Sequence, residues 1–355
     1  MLNYIIRRLL IIPILLLGIS LLLFSMISLM KPMDRVQMLF TTDIPNRPRD
    51  FEGLIKKYGL DDPFYVQYWN WMVGKEDPDS GQLMGGILFG NFGWSIIGRS
   101  SVSEIIARRG PATLELVLYS LVPIIGVSIW LGVKAAVNHN KFIDHILRIS
   151  AVAGWSMPAF VFGLLLLLYF SSELHWFAPG RLTIEMSSIV QSDEFVNYTN
   201  LYTIDALLNS RFDIFLDALK HLVLPVITLS VASGAFLLRI TRFSMLETLR
   251  QEYITTARSK GLPEEMILRK HALPNALIPV ITVGGLTLVG LLNAVIITEM
   301  IFNYPGLGSF LAESASALDL VSVAGVTLVS SVILVLGNLI VDVLYVVIDP
   351  RIRLD

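Results

Sequence analysis

Few side chains in this sequence have the type and setting to do chemistry, and they are scattered. Glu299 and Asp342 sit inside long apolar runs, and Glu115 lies near the start of another. An ionisable group in such a run marks a substrate or ion path, a proton relay or an internal pair. Glu299 fits either a group lining a path, where it would meet a substrate amine, or a hydrogen bond inside a helix bundle. Asp342 fits a structural ion pair or a cap, and Glu115 a solvated carboxylate at a membrane interface. Ser156, Thr228, Ser230 and Asn293 add polar atoms to apolar stretches. Ser156, Thr228, Asn293 and Glu299 are the candidates for a translocation path, although hydroxyls in apolar helices also bond to their own backbone.

No catalytic constellation accompanies these residues. Ser156 and Ser230 lack a histidine at matching depth, which argues against an intramembrane serine protease. The five histidines are dispersed, and no H-E-x-x-H pattern is present, so no metal site is expected. Cysteine is absent, which excludes disulfides and thiolate catalysis. There is no G-x-x-x-x-G-K-[ST] run, so this chain is expected to bind no nucleotide and no other cofactor.

The elements that hold these residues are set by composition. Of 355 residues, 54% are apolar and 16% charged, against about 25% charged in an ordinary soluble domain. That balance excludes a disordered chain, a nucleic-acid-binding face and a coiled coil. A helix crosses the hydrocarbon core in about 20 apolar residues, and six segments reach that length: Leu9 to Leu29, Ala112 to Val133, Ser150 to Phe170, Leu219 to Leu238, Leu277 to Phe302 and Val321 to Ile348. Arg7 and Arg8 precede the first, but its apolar run is too long for a signal peptide and no A-x-A site follows, so it reads as an uncleaved anchor.

Placing the N-terminus inside puts 14 cations against seven acids on the inner segments, and 13 against 22 on the rest of the chain. The net charge of −2 thus hides an excess of Lys and Arg on one side, which predicts that both termini are cytoplasmic. Pro123, Pro158, Pro225 and Pro279 are expected to kink their spans. The expected fold is all-α and integral to the membrane. An anchor helix occupies 1–30, an extracytoplasmic loop or cap 31–111, and a five-helix core 112–355, with a helix-turn-helix loop at 242–276 between spans four and five.

The outer loop carries helical spacing at Phe51, Leu54, Ile55 and Tyr58, with Gly59 as a stop. Asp62-Pro63 then opens a second helix, Asp as its cap and Pro at its first position. The aromatics from Phe64 to Trp71 fit an interfacial belt, a cap packed on the bundle, or a landing surface for an outer partner. Lys75 to Gly86 reads as a polar excursion, and Asn197-Tyr198-Thr199 as a sequon of little weight.

The inner segment is the most informative. From Arg242 to Gly261 apolar residues recur at helical spacing, and Gly261 ends the run. Leu262-Pro263-Glu264-Glu265 opens a second short helix, and Leu273-Pro274 stops it. A connection between spans needs only about two to eight residues, so a structure this long should dock on something.

That segment, Tyr253-Ile254-Thr255-Thr256-Ala257-Arg258-Ser259-Lys260-Gly261 followed by His271-Ala272-Leu273-Pro274, resembles the EAA loop of ABC-importer permeases. Thr255 and Thr256 stand in place of the first Glu and Ala, as in the dipeptide, oligopeptide and nickel branch. Further stretches are similar to that branch: Gly90-Asn91-Phe92-Gly93-Trp94-Ser95, Pro111 to Leu116, Ser156-Met157-Pro158, His221 to Pro225, Tyr304-Pro305-Gly306-Leu307-Gly308 and Asp349-Pro350-Arg351-Ile352-Arg353. Asn91 stands where Asp is more usual, and 181–217 looks longer than typical. The resemblance implies a type I importer fold in the cell inner membrane, and half of a heterodimeric pore formed with a homologous second permease. It further implies two cytoplasmic ATPase subunits that carry ATP and Mg, and an extracytoplasmic substrate-binding protein. Glu252, Thr256, Ala257, Arg258, Lys260, Gly261 and Glu264 would couple to the ATPases, Ala257 by allowing close approach and Gly261 by making the bend. Peptides are the substrate it implies, with nickel or oligosaccharides as alternatives on the same machinery. A channel reading finds no filter-like segment.

Overall fold

The structure, a computed structural model, describes residues 2–33, 35, 51–76, 83–84 and 86–348. Among these, five helices are long and apolar enough to cross a membrane, or six when one bent pair counts as a single span. The chain divides into two compact units, one of residues 1–110 with 309–336 and one of 111–308 with 337–355.

In the first unit, the helix Leu2–Ser28 carries Phe24 into an aromatic cluster. The rings of Phe64, Tyr68 and Trp71 lie 5.3, 5.5 and 5.3 Å from it. Ser20 and Tyr68 share a 2.8 Å hydrogen bond, while Tyr65 and Trp69 stay exposed. Phe51–Tyr58 is helical as expected and ends at Gly59, whose φ is +64°. The next helix is Phe64–Val73, but its cap is Pro63, not Asp62, and the cap residue supplies no side-chain hydrogen bond. Lys75–Glu76 pairs antiparallel with Leu83–Met84, and the tip of that excursion lies outside the described residues. Asp319 is fully buried. Its carboxylate accepts from the Ser95 and Ser322 hydroxyls and the amides of Ile96, Ile97 and Ser322. It thereby ties the Gly93-Trp94-Ser95 loop to the start of Leu320–Ile348, the helix whose Asp342 side chain and following Asp349 to Arg353 motif fall outside the described residues.

The second unit departs from the expected spans where proline and interior packing intervene. The second span is helical from Val102, not from near Ala112, and continues to Val137. Pro123 opens a wide π-helical turn over Pro123–Val127, because its missing amide cannot make the regular bond. The third span is broken. Phe142–Ser156 and Ala159–Glu173 meet at 103°. Pro158 excludes helical backbone from the residue before it, and Met157 is extended, with φ −85° and ψ 126°. The fourth is one helix of 38 residues, Phe212–Leu249, running through Pro225. It takes in the residues from Arg242 onward that were expected in the inner amphipathic run. Leu273-Pro274 stops nothing: a π-helical Ile267–Ala272 leads directly into Leu273–Ile301, which also runs through Pro279.

Residues 171–217 build a small body around Val190, Phe195, Ala206 and Ile214. Asn197 and Thr199 of the sequon bond internally, to the Val190 carbonyl and to Asp205.

Candidate functional site

The helix-turn-helix is built from a short helix, Glu252–Ser259. The long helix ends at Leu249, and Gln251 is extended, with φ −71° and ψ 148°. The single run expected from Arg242 to Gly261 is therefore two helices with a corner between them. One face of the short helix buries Ile254 and Ala257 against Ile267, Ala272 and Ala276, with Met245 from the long helix and Ala136 from Ser128–Val137. Ala257 thus serves close packing within the chain's own turn rather than facing outward. Glu252, Tyr253, Thr255, Thr256, Arg258, Ser259 and Lys260 are exposed, and burial of part of its ring raises the Tyr253 phenol above its ordinary value.

The turn has a defined chemistry. The Gly261 amide donates to the Arg258 carbonyl at 2.9 Å and the Leu262 amide to the Ala257 carbonyl at 3.4 Å. These are the two bonds of a Schellman cap, which needs a left-handed residue at its second-last position. Gly261 supplies it with φ +73°, and Leu262 packs back on the same apolar cluster. Arg258 closes the far side, donating to both Glu264 oxygens at 2.6 and 3.2 Å. This pair is half exposed, so Arg258→Ala is expected to lower stability in thermal melts by less than about 1 kcal/mol.

The four path candidates occupy different settings. Ser156 is exposed at the elbow of the broken span, and Asn293 is exposed on Leu273–Ile301. A cleft of about 280 Å³ opens at the elbow, lined by Ser150, Gly154, Met157, Phe162 and Val231 among others. Thr228 is buried and donates to the Leu224 carbonyl at 2.9 Å. Glu299 is fully buried and accepts from Thr113 Oγ1 at 2.6 Å, while Thr113 Oγ1 accepts the Leu307 amide at 2.8 Å. A Cβ at Gly306 would overlap the Glu299 carboxylate, and one at Gly308 would overlap the Ile296 backbone, which explains the glycines of Tyr304-Pro305-Gly306-Leu307-Gly308.

Two buried ionic clusters escaped the sequence. Glu115 is buried rather than solvated at an interface. Its Oε2 accepts from Arg181 Nη2 at 2.7 Å, from Arg181 Nε at 3.1 Å and from the Tyr304 hydroxyl at 3.2 Å. Its Oε1 accepts the Thr203 amide at 2.8 Å and hydroxyl at 2.7 Å. Burial pushes the Tyr304 phenol well above its ordinary value, so it stays a donor. The second is Asp144 with Arg242. The sole local signal was charge within apolar sequence, which does not reveal a partner 66 or 98 residues away.

Comparison with known proteins agrees with this architecture. The family model for the binding-protein-dependent transport system inner membrane component matches residues 128–354, and the model for the N-terminal part of such membrane components matches residues 1–117. The chain is 38% identical to the oligopeptide transport system permease protein AppB of Bacillus subtilis, over 99% of both chains. It is 39% identical to the probable D,D-dipeptide transport system permease protein DdpB of Escherichia coli, over 85% of this chain and 84% of that one. To the dipeptide transport system permease protein DppB of Escherichia coli it is 37% identical over 99% of each. Full-length similarity at this level, together with two family models that span nearly all of the sequence, shows that the chain belongs to the binding-protein-dependent transport system inner membrane components, multi-pass transport permeases rather than enzymes.

Proposed function

We propose that this chain is the permease subunit of an ATP-driven peptide importer. It forms half of the translocation path and takes its energy from separate ATPase subunits. The observation that carries the reading is the helix Glu252–Ser259. Its inner face is locked to the chain's own core, and its outer face offers Glu252, Thr256, Arg258 and Lys260 to a partner. Peptides are the substrate because the relatives alike over nearly the whole length are named for oligopeptide and dipeptide transport.

The remaining parts follow from this reading. Both termini are cytoplasmic, in keeping with the inner excess of Lys and Arg, and six spans result when the bent pair counts as one. A second, homologous permease completes the path, two ATPases bind ATP and Mg, and an outer binding protein delivers the peptide. Ser156, Thr228, Asn293 and Glu299 remain the path candidates, with Ser156 and Asn293 the two whose side chains are open to a passing substrate.

Co-expression with a second permease and two ATPase chains tests this. The expected result is a complex that holds the ATPases through purification and, in vesicles, takes up di- to oligopeptides with ATP. A complex that retains no ATPase, or one that moves nickel or oligosaccharides but not peptides, overturns the proposal or its substrate.

A further inference from the structure

A lever moves only what is fastened to it. The core under the coupling helix fastens it to the inner ends of Ser128–Val137 and Phe212–Leu249 through Ala136 and Met245. Ser244 Oγ donates to the Ala276 carbonyl at 2.7 Å and adds the start of Leu273–Ile301. The elbowed pair Phe142–Ser156 and Ala159–Glu173 contributes nothing to that core. Its inner end is held by another device. Asp144, in the first turn of Phe142–Ser156, is fully buried. Arg242 of the long helix donates Nε to Asp144 Oδ1 at 2.6 Å and Nη2 to Oδ2 at 2.8 Å. The Asn140 amide donates to Oδ2 at 3.0 Å from a left-handed backbone, φ +61°. Arg242 Nη2 also lies 3.2 Å from His139 Nδ1. Arginine has no acceptor, so that ring nitrogen accepts.

The guanidinium and the carboxylate make a planar two-point joint, which transmits rotation as well as displacement, unlike a single hydrogen bond. Arg242 stands ten residues before Glu252, where the coupling helix begins. Farther along, the elbowed span meets the same long helix through softer contacts. Trp155 stacks on Phe236 at 4.8 Å, and Gly154 approaches Val231 and Ala235. We infer that Asp144 and Arg242 are positioning residues for transport, a joint through which movement of the coupling helix reaches the elbowed span and the cleft at Ser150, Met157 and Val231. This rests on the importer reading above.

The test uses the complete importer in vesicles, with peptide uptake and ATP hydrolysis measured together. Asp144→Asn and Arg242→Met are expected to assemble with the ATPases and hydrolyse ATP, while peptide moved per ATP falls about tenfold, within the usual range of coupling free energies. Arg242→Lys keeps the charge without the planar fork and should recover part of the ratio. It also carries the test if the Met variant fails to assemble. Variants that assemble and move as much peptide per ATP as the wild type overturn the inference. So do variants that lose uptake only in proportion to lost assembly, since the pair would then merely hold the fold. A wild-type complex without peptide-stimulated hydrolysis would sink the importer reading instead.

Discussion

Gly261→Pro should abolish ATP-driven uptake while leaving the chain in the membrane. Proline fixes φ near −65° and has no amide, whereas Gly261 holds φ +73° and donates to the Arg258 carbonyl. The substitution removes both the backbone angle and one of the two bonds of the cap, at a cost of about 3 kcal/mol or more. The core of the chain does not depend on it: a Cβ at Gly261 would meet no other atom within 4 Å. The damage should therefore stay in the turn and swing Leu262 off its cluster. Gly261→Asn is the control, since asparagine tolerates the left-handed region. It should transport within about threefold of wild type, given the small cost of a left-handed asparagine. Uptake assays of the two variants, with ATPase retention scored beside them, check this. Equal loss in both would mean that Gly261 is needed for lack of a side chain at an interface rather than for its backbone angle.

Arg181→Met should destabilise the second unit more than any surface change. Arg181 and Glu115 are buried and bonded to each other. Arg181 also donates to the Asn200 carbonyl at 2.6 Å and lies 3.7 Å above the Tyr202 ring. Removing one partner of a buried pair strands the other charge, which costs about 3–5 kcal/mol. Glu115→Gln combined with Arg181→Met should cost far less than the sum, because no charge is left stranded. Thermal unfolding of the single and double variants measures this. Protease sensitivity of 181–211 provides a second reading, since that segment loses its tether to the helix that carries Glu115. Additive losses would show that the two side chains act separately.

Much of the helix-turn-helix at 252–266 was legible locally. Gly261 ends a helical run, and Pro263 with two acids opens the next, because turns and caps are chosen by residues within a few positions of each other. The same local logic failed at Arg242–Leu249, which continue the fourth span. Apolar spacing there suits both an inner amphipathic helix and the end of a span, and packing on Ala136 and Ala276 decides for the span. Ala257 was assigned to a partner, because small residues permit close approach on either face of a helix and the sequence does not mark which face is already covered.

Local sequence alone determined the membrane class, the approximate number of spans, the transporter family and the place of the turn at Gly261. Each rests on composition, length or a contiguous motif. Tertiary structure alone decided which charges are buried and with whom. It paired Glu115 with Arg181 and Asp144 with Arg242, and turned Asp319 onto the loop at Ser95. Period and propensity describe neighbours along the chain, whereas a buried charge is settled by whichever partner the packing brings within about 3 Å.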